Sequence, residues 1–426
     1  MSRWLAVLAV LLILGGAARA DVFRILDDPG DAMQARVDLI QQADREIHAL
    51  YFLARNDRVT LTALALLRDA RRRGVPSVRL IVDANFHRIP KAVLAHLRDE
   101  GVEVRVYHPF TLRHPSWLFR RMHEKVVVVD GERYITGGRN LAEAYFGMAK
   151  KKNFVDRDVY IEGASAADAD RHFETLWSSE HVAQLKVHVS KREKGNAEDL
   201  LDRILFELSC GNGFVKLDTG NDWSAGQRQV DAVDFLHDPV DAEEGERVAS
   251  RLAEIIEGAQ TSIVIESPYL VPPKQLRQLL EKKLAEGVYV QIVTNSLRST
   301  DGVLPQAGYL KYRRRLARAG IDVREYKGPD PLHAKSAVID GKIVLVGSYN
   351  LDPRSQNLNT EVICVVEDEV LAQELLESID LHLQNAWRIH GNGRPARVER
   401  YPQVSRARKV RAWLARFLLP IVENQL

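Results

Sequence analysis

Cysteine is almost missing from this sequence: Cys210 and Cys364 are the two among 426 residues. Neither belongs to a CxxC pair or a Cys/His cluster, which excludes a zinc-ribbon or disulfide-scaffold fold. Cys364 lies in the apolar run 362–366, which reads as a buried strand and argues against a bond to Cys210. An excess of one charge is missing too. Sixty Lys and Arg face 58 Asp and Glu, a formal net charge of +2. No global basic footprint is present, so no nucleic-acid partner is expected. Long apolar runs are also lacking. The run from Trp4 to Leu14 is shorter than the roughly 20 residues that cross a bilayer as a helix, and no other segment is long enough.

What is present suits a large body with real cores. The apolar fraction of 46% in 426 residues supports one bilobal unit or two ordinary domains. Arg3, the apolar run and Ala18-Arg19-Ala20 have the layout of a bacterial secretory signal, with cleavage expected after Ala20. The other reading is an uncleaved membrane anchor. Both put the body on the periplasmic side or in the cell envelope, peripheral to the membrane.

The chain repeats itself. Strand-like runs at 46–53, 78–83 and 102–107 alternate with helical stretches and end in RMHEKVVVVDGERYITGGRN. The same order returns at 262–270, 288–295 and 321–326 and ends in PLHAKSAVIDGKIVLVGSYN. Strands alternating with helices predict an α/β sandwich in each half. The expected organisation is a signal at 1–20, a first lobe at 21–185, a linker at 186–228, a second lobe at 229–390 and a basic tail at 391–426. The linker reads as irregular, with one short helix around 197–208.

The chemistry lies in the repeat. His123, Lys125, Asp130, Gly137 and Asn140 recur as His333, Lys335, Asp340, Gly347 and Asn350. Every pair is separated by the same interval, so the pattern is a duplication and not a chance HxK. His and Lys at i and i+2 of a strand share a face. Two lobes packed about a pseudo-twofold axis would bring two imidazoles and two ammonium groups to one phosphodiester. One neutral His can attack phosphorus while the other, protonated, serves the leaving alkoxide. The lysines and the amides of Asn140 and Asn350, with the Ser348 hydroxyl, can take the phosphoryl oxygens. No metal-spaced cluster is visible, so neither metal nor cofactor is expected. Aligning DRDVYIEG with NTEVICVV pairs Asp158 with Glu361 as the carboxylates that orient the histidines. Asp130 and Asp340 complete the catalytic motif on paper, though their position before Gly suits fixing a hairpin turn.

These residues resemble the phospholipase D superfamily, whose signature is HxKx4Dx6GSxN. The likeness covers nearly the whole chain after residue 20. It implies two α/β lobes sharing one site, a phosphohistidine intermediate and no metal. Gly138 departs from the signature where Ser is usual. TNSLRSTD, AGYLKYRRRLARAGI and LHAKSAVIDGKIVLVGSYNLDPRSQNLNTEV sharpen the resemblance to the bacterial cardiolipin synthases of the C type. That likeness implies transfer of a phosphatidyl group between phospholipids. Alternatives with the same pocket are a secreted phospholipase D hydrolase and a nuclease. A scaffold with a relic site is the reading from another class, and two complete motifs speak against it. Whether an accessory subunit is needed is not legible.

Two further stretches bear on the membrane. Basic and apolar residues mix before the first motif, from Phe110 through Arg113, Trp117, Leu118 and Phe119 to Arg120 and Arg121. Near the C-terminus, Val410, Trp413, Leu414, Phe417, Leu418 and Ile421 form one helical stripe, with Arg408, Lys409, Arg411 and Arg416 off it and Pro420 ending it. This is the make-up of a helix lying on an anionic membrane surface; docking on the protein's own core is the alternative.

Overall fold

The computed structural model describes residues 20–241, 245–395, 404–415 and 417. Residues 1–19 of the expected signal or anchor lie outside the described residues, as do Arg416, Leu418, Pro420 and Ile421 of the expected C-terminal segment.

The first half builds β1 (Asp21–Leu26), β2 (Glu46–Tyr51), β3 (Ser77–Asp83), β4 (Glu103–Tyr107), β5 (Lys125–Val129), β6 (Arg133–Gly137), β7 (Asp158–Glu162), β8 (Val182–Gln184) and β9 (Arg228–Val230). They form one sheet in the order β8-β4-β3-β2-β5-β6-β7-β1-β9. The second half builds β10 (Val233–His237), β11 (Ser262–Glu266), β12 (Tyr289–Asn295), β13 (Asp322–Tyr326), β14 (Ser336–Ile339), β15 (Ile343–Gly347), β16 (Val362–Glu367) and β17 (Ala386–Arg388). Their order, read from β17, is β17-β13-β12-β11-β14-β15-β16-β10. Strand by strand this repeats the first sheet, with β9 the addition. Three strands in each sheet are parallel, and the motif hairpin pairs antiparallel beside them.

Helices complete five layers. α1 (Pro29–Gln41), α2 (Arg58–Arg73) and α3 (Lys91–Asp99) cover the outer face of the first sheet. α4 (Ala166–Ser178) lies between the sheets. α5 (Lys191–Ser209) packs on α2 and α3. α6 (Val248–Gly258), α7 (Lys274–Ala285) and α8 (Val303–Ala319) cover the second sheet. The short α9 (Pro353–Asn357) follows the second motif, and α10 (Glu369–Gln384) joins α4 in the middle layer. α11 (Arg406–Ala415) packs against α8.

The stretch 186–228 differs from an irregular connection. α5 begins at a capping box in which Ser190 and Glu193 satisfy each other's backbone amides. Ala197, Leu201, Ile204 and Leu208 join the first lobe's core, as do Val215 and Trp223 farther on. The run looks polar because a single narrow stripe is buried. Both cysteines are free, Cys210 exposed and Cys364 buried.

Sheets alone do not fix the lobes together. Fully buried Arg157, just before β7, reaches Glu266 of β11 at 2.5 Å, Ser336 of β14 and Ser378 of α10 at 2.6 Å, and Asp27 at 2.7 Å. His382 occupies the other oxygen of Glu266 at 2.6 Å. Removing one member leaves a buried charge without its partner, at a cost of about 3–5 kcal/mol. Arg157→Ala is therefore expected to lose stability on that scale in chemical denaturation. A loss no larger than that of an exposed Arg→Ala control would show that the lobes are held by apolar packing alone.

Candidate active site

The two motif hairpins lie at the centre of their sheets, where β6 meets β15 and β16 of the other lobe. Asp130-Gly131 and Asp340-Gly341 make the turns, all four residues with φ between 54° and 67°. Asp-Gly is the pair that tolerates a turn with two positive φ values. The Asp130 carboxylate accepts from the amides of Asp44, Arg45 and Glu46. Asp340 accepts from those of Gln260, Thr261 and Ser262. Each aspartate ties its hairpin to the start of the neighbouring strand. Five residues of strand, roughly 16 Å at 3.3 Å each, separate it from its lysine. Asp130 and Asp340 thus belong to the scaffold and not to the catalytic set.

At the other end of each hairpin the lobes exchange contacts reciprocally. His123 N donates to Thr360 O at 2.9 Å and His333 N to Val155 O at 2.6 Å. The side chains cross as well. His123 Nδ1 is 2.9 Å from Glu361 Oε2, and His333 Nδ1 is 2.6 Å from Asp156 Oδ2. Each histidine is oriented by the carboxylate of the opposite lobe. With Nδ1–H donating to a carboxylate, Nε2 carries the lone pair of a neutral ring.

Asp158 is not one of these carboxylates. It accepts from Arg36 at 2.8 Å and from Arg139. Strand pairing explains the correction. Gly137 pairs with Asp158, whereas Gly347 pairs with Ile363, so the counterpart of Glu361 is Asp156, two residues earlier. The run Asp156-Arg157-Asp158 offers an acid at both places, and the apolar pattern alone selects the wrong one.

Gly138 follows from the same geometry. A Cβ there would lie 1.9 Å from Asp156 Oδ1, so the shorter acid occupies the space of a serine side chain. In the second lobe Ser348 is retained and its hydroxyl donates to Glu361 at 2.5 Å. Ser348 therefore supports the orienting carboxylate and does not reach the cleft wall. Ser355 and Asn359 hold the other oxygen of Glu361.

His123, His333, Asn140 and Asn350 all line one cleft of about 780 Å³ between the lobes. Its walls include Phe52, Phe86, Leu118, Tyr145, Phe154 and Tyr269. Phe52 packs edge-on against His123 at 4.9 Å, and Tyr145 and Phe154 flank His333 at 5.2 Å. Asn350 Oδ1 is buried without a hydrogen-bond partner among the described residues. Lys125 Nζ donates to His123 O, and Lys335 Nζ lies 2.8 Å from His333 Nδ1. Neither lysine is on the cleft wall; both set its electrostatics.

The site holds its protons unequally. Burial, then Lys125 and Lys335, drives the His123 pKa well below the ordinary imidazole value. Burial and Lys335 lower His333 too, but Asp156 pulls it back. Burial pushes Glu361 up to about 7, against the pull of Lys125 and Ser348. Asp156 is lowered: burial raises it, and His333, Lys335 and Arg139 together outweigh burial. Burial brings Lys125 down to about 7 and Lys335 down to about 8. His123 is thus the ring built to stay neutral, and His333 the ring facing an ionised acid.

Phe52, Tyr145, Phe154, Tyr269, Asp301 and Arg354 also line the cleft and carry no motif signal. The mixed segment before the first motif supplies Leu118 and Arg121 to the cleft wall, while Phe110 and Leu112 stand exposed.

The family profile described as "Cardiolipin synthase, PLD-like domain" matches residues 37–177 and 252–383. Cardiolipin synthase C of Escherichia coli K12 is 30% identical over 396 residues, 80% of each chain. The minor cardiolipin synthase of Bacillus subtilis is 27% identical across 82% of this chain and 78% of that one. The crystal structure of a phosphatidylserine synthase from Haemophilus influenzae has a TM-score of 0.69 over 95% of both chains at 18% identity, a likeness of fold. With two lobes, a doubled His/Lys motif and one shared cleft, the chain belongs to the phospholipase D-like family of the cardiolipin synthases.

Proposed function

We propose that this chain transfers a phosphatidyl group from a donor phospholipid to the hydroxyl of phosphatidylglycerol, making cardiolipin through a phosphohistidine. The observation that carries the reading is the pair of oppositely oriented imidazoles on one cleft. Cardiolipin synthase relatives favour this donor and acceptor class. Phe52, Phe86, Leu118, Tyr145, Phe154 and Tyr269 on the cleft wall give a lipid an apolar surface beside the polar centre.

His123 Nε2 attacks phosphorus, and the bond to the leaving alcohol oxygen breaks. His333, protonated and held by Asp156, gives that oxygen its proton. The acceptor hydroxyl then loses its proton to His333 and attacks the same phosphorus, which releases His123. Lys125, Lys335 and the amides of Asn140 and Asn350 answer the charge that builds on the non-bridging oxygens. No metal enters these steps. Glu46, His48 and Asp170 form the one group with metal-ligand spacing among the described residues, on β2 and α4 and off the cleft wall.

The protein works from the periplasmic side of the envelope, peripheral to the membrane. α11 contributes to that contact. It packs on α8 through Ala415, which clusters with Ala307, while Val410, Trp413, Leu414 and Phe417 stay exposed. Arg408 reaches Thr300 O, beside the cleft residue Asp301, so the exposed stripe stands near the cleft mouth.

Three outcomes check these steps. Brief exposure to 32P-labelled donor in excess EDTA is expected to label wild-type protein and His333→Asn but not His123→Asn. Label restricted to His333-containing protein would reverse the roles, and label only after Mg2+ or Zn2+ addition would refute metal independence. Asp156→Asn removes the anion that supports protonated His333. The alkaline limb of the kcat–pH profile should then move to lower pH by about 1–3 units; a shift to higher pH would contradict the acid role. Trp413→Ser/Leu414→Ser is expected to leave the melting temperature in place and cut binding to phosphatidylglycerol vesicles about tenfold or more, since each large side chain contributes about 1.5–3 kcal/mol when buried. Unchanged co-sedimentation would remove α11 from the membrane contact.

A further inference from the structure

Almost everything around the reacting phosphorus is doubled by the pseudo-twofold. Arg121 is not. At the end of β3, Asp83 Oδ2 accepts from Met122 N at 3.3 Å; at the end of β12, Asn295 Oδ1 accepts from Leu332 N at 2.9 Å. The two acceptors do the same task for the residue before each catalytic histidine. Only the first is charged, and it alone carries a guanidinium: Arg121 Nη1 donates to Asp83 Oδ1 at 3.0 Å. The repeat interval puts Pro331 where a second arginine would stand.

Arg121 is 2% exposed and lines the cleft. Its Nε and Nη2 find no hydrogen-bond partner among the described residues. Two unmade bonds on one buried cation are rare, because such donors are normally satisfied. Arg354 lines the same stretch and donates to Phe119 O at 2.8 Å. Burial and the Arg121 charge hold its guanidinium below the ordinary arginine value, against the pull of Asp352, so the two cations stand close enough to repel. Nη2 and Nε on one edge of a guanidinium are the fork that matches two phosphate oxygens. Beside His333 the cleft is acidic instead: Asp301 acts on that ring and accepts from Tyr269 at 3.0 Å.

We propose that Arg121, with Arg354 beside it, forms a second phosphate subsite in the cleft, which takes the phosphate that the acceptor alcohol itself carries. The proposal rests on the transferase reading above and deepens it. A symmetric centre treats one phosphorus alike from both sides. A single guanidinium with two donors left unbonded recognises the substituent that is not symmetric. An acceptor with a glycerol hydroxyl and its own phosphodiester fills both places, whereas water or a plain alcohol leaves Nε and Nη2 of Arg121 without a partner.

Two measurements on the full-length protein test it. In calorimetric titration with glycerol 3-phosphate, wild type is expected to bind two equivalents, one at the histidine pair and one at Arg121, and Arg121→Gln one. In transfer from labelled phosphatidylethanolamine vesicles, wild type is expected to prefer phosphatidylglycerol over monoacylglycerol, which has the hydroxyls but no phosphate. Arg121→Gln should raise KM for phosphatidylglycerol at least tenfold and collapse that preference. Arg121→Lys keeps the charge on Asp83 but loses the fork; it should fall between the two, and it decides the matter if Arg121→Gln does not fold. Two equivalents retained in Arg121→Gln, or an equal fall in kcat with both acceptors, overturns the subsite. Loss of glycerol 3-phosphate binding without any change in KM for phosphatidylglycerol overturns its acceptor role and leaves a free phosphate ester as the ligand. If wild type never transfers to phosphatidylglycerol, the transferase reading fails, while the phosphate count still decides the subsite.

Discussion

The crossed pairs His123–Glu361 and His333–Asp156 are the contacts on which the rest depends. A histidine oriented from its own lobe would be complete in half a protein. Here each lobe supplies the ring for one pair and the acid for the other, so neither half holds a finished catalytic group. The backbone repeats the exchange through Thr360 and Val155. Reciprocity of this kind is what a twofold interface produces, and in this chain the interface is internal. The Arg157 cluster and the middle helical layer of α4 and α10 keep it closed.

Strand geometry then does the placing. Two central hairpins run from turn to cleft, and the side-chain period of two sends His and Lys to one face. Glu124, between them, points to the other face and meets His172 of α4 at 2.7 Å. The motif's aspartates act at the turn end, where they hold the hairpin in register with its neighbour. A motif of fixed spacing thus combines chemistry at one end with anchoring at the other, and spacing alone does not tell the two apart.

Much of this was legible because duplication writes it twice. Five matching positions at one interval identify the hairpins, and strand–helix alternation gives the lobes. Asp156 was not legible for two reasons: adjacent acids at 156 and 158 fit the same apolar pattern, and the partner lies in the other lobe, which no local period reports. The helix expected around 197–208 is α5, but its start at Lys191 and its place in the core were hidden by a single buried stripe in a polar run. Ser348 looked like a cleft hydroxyl because a motif shows that a side chain is present, not which way it faces. The aromatic walls and Asp301, with Arg354 of the short α9, come from segments far apart in sequence that only the closed fold brings together.

A symmetric scaffold must still give its two histidines different work, and the difference begins with one methylene. Asp156 is short enough to fill the space that a serine at position 138 would need, and Gly138 leaves it there with Arg157 N on one oxygen at 2.9 Å. Its other neighbours, Lys335 and Arg139, are cations, so it stays ionised. Glu361 reaches as far from a backbone that keeps Ser348; Lys125 pulls on it, and Ser348, Ser355 and Asn359 donate to it. Burial outweighs Lys125 and these neutral donors together, and its pKa rises to about 7. Burial, Lys125 and Lys335 keep the His123 pKa well below the ordinary imidazole value, which suits the nucleophile proposed above. The anion beside His333 pulls that ring's pKa back up against burial and Lys335, which suits the acid proposed above. The departure from the family signature at Gly138 is therefore where the surroundings of the two orienting carboxylates diverge.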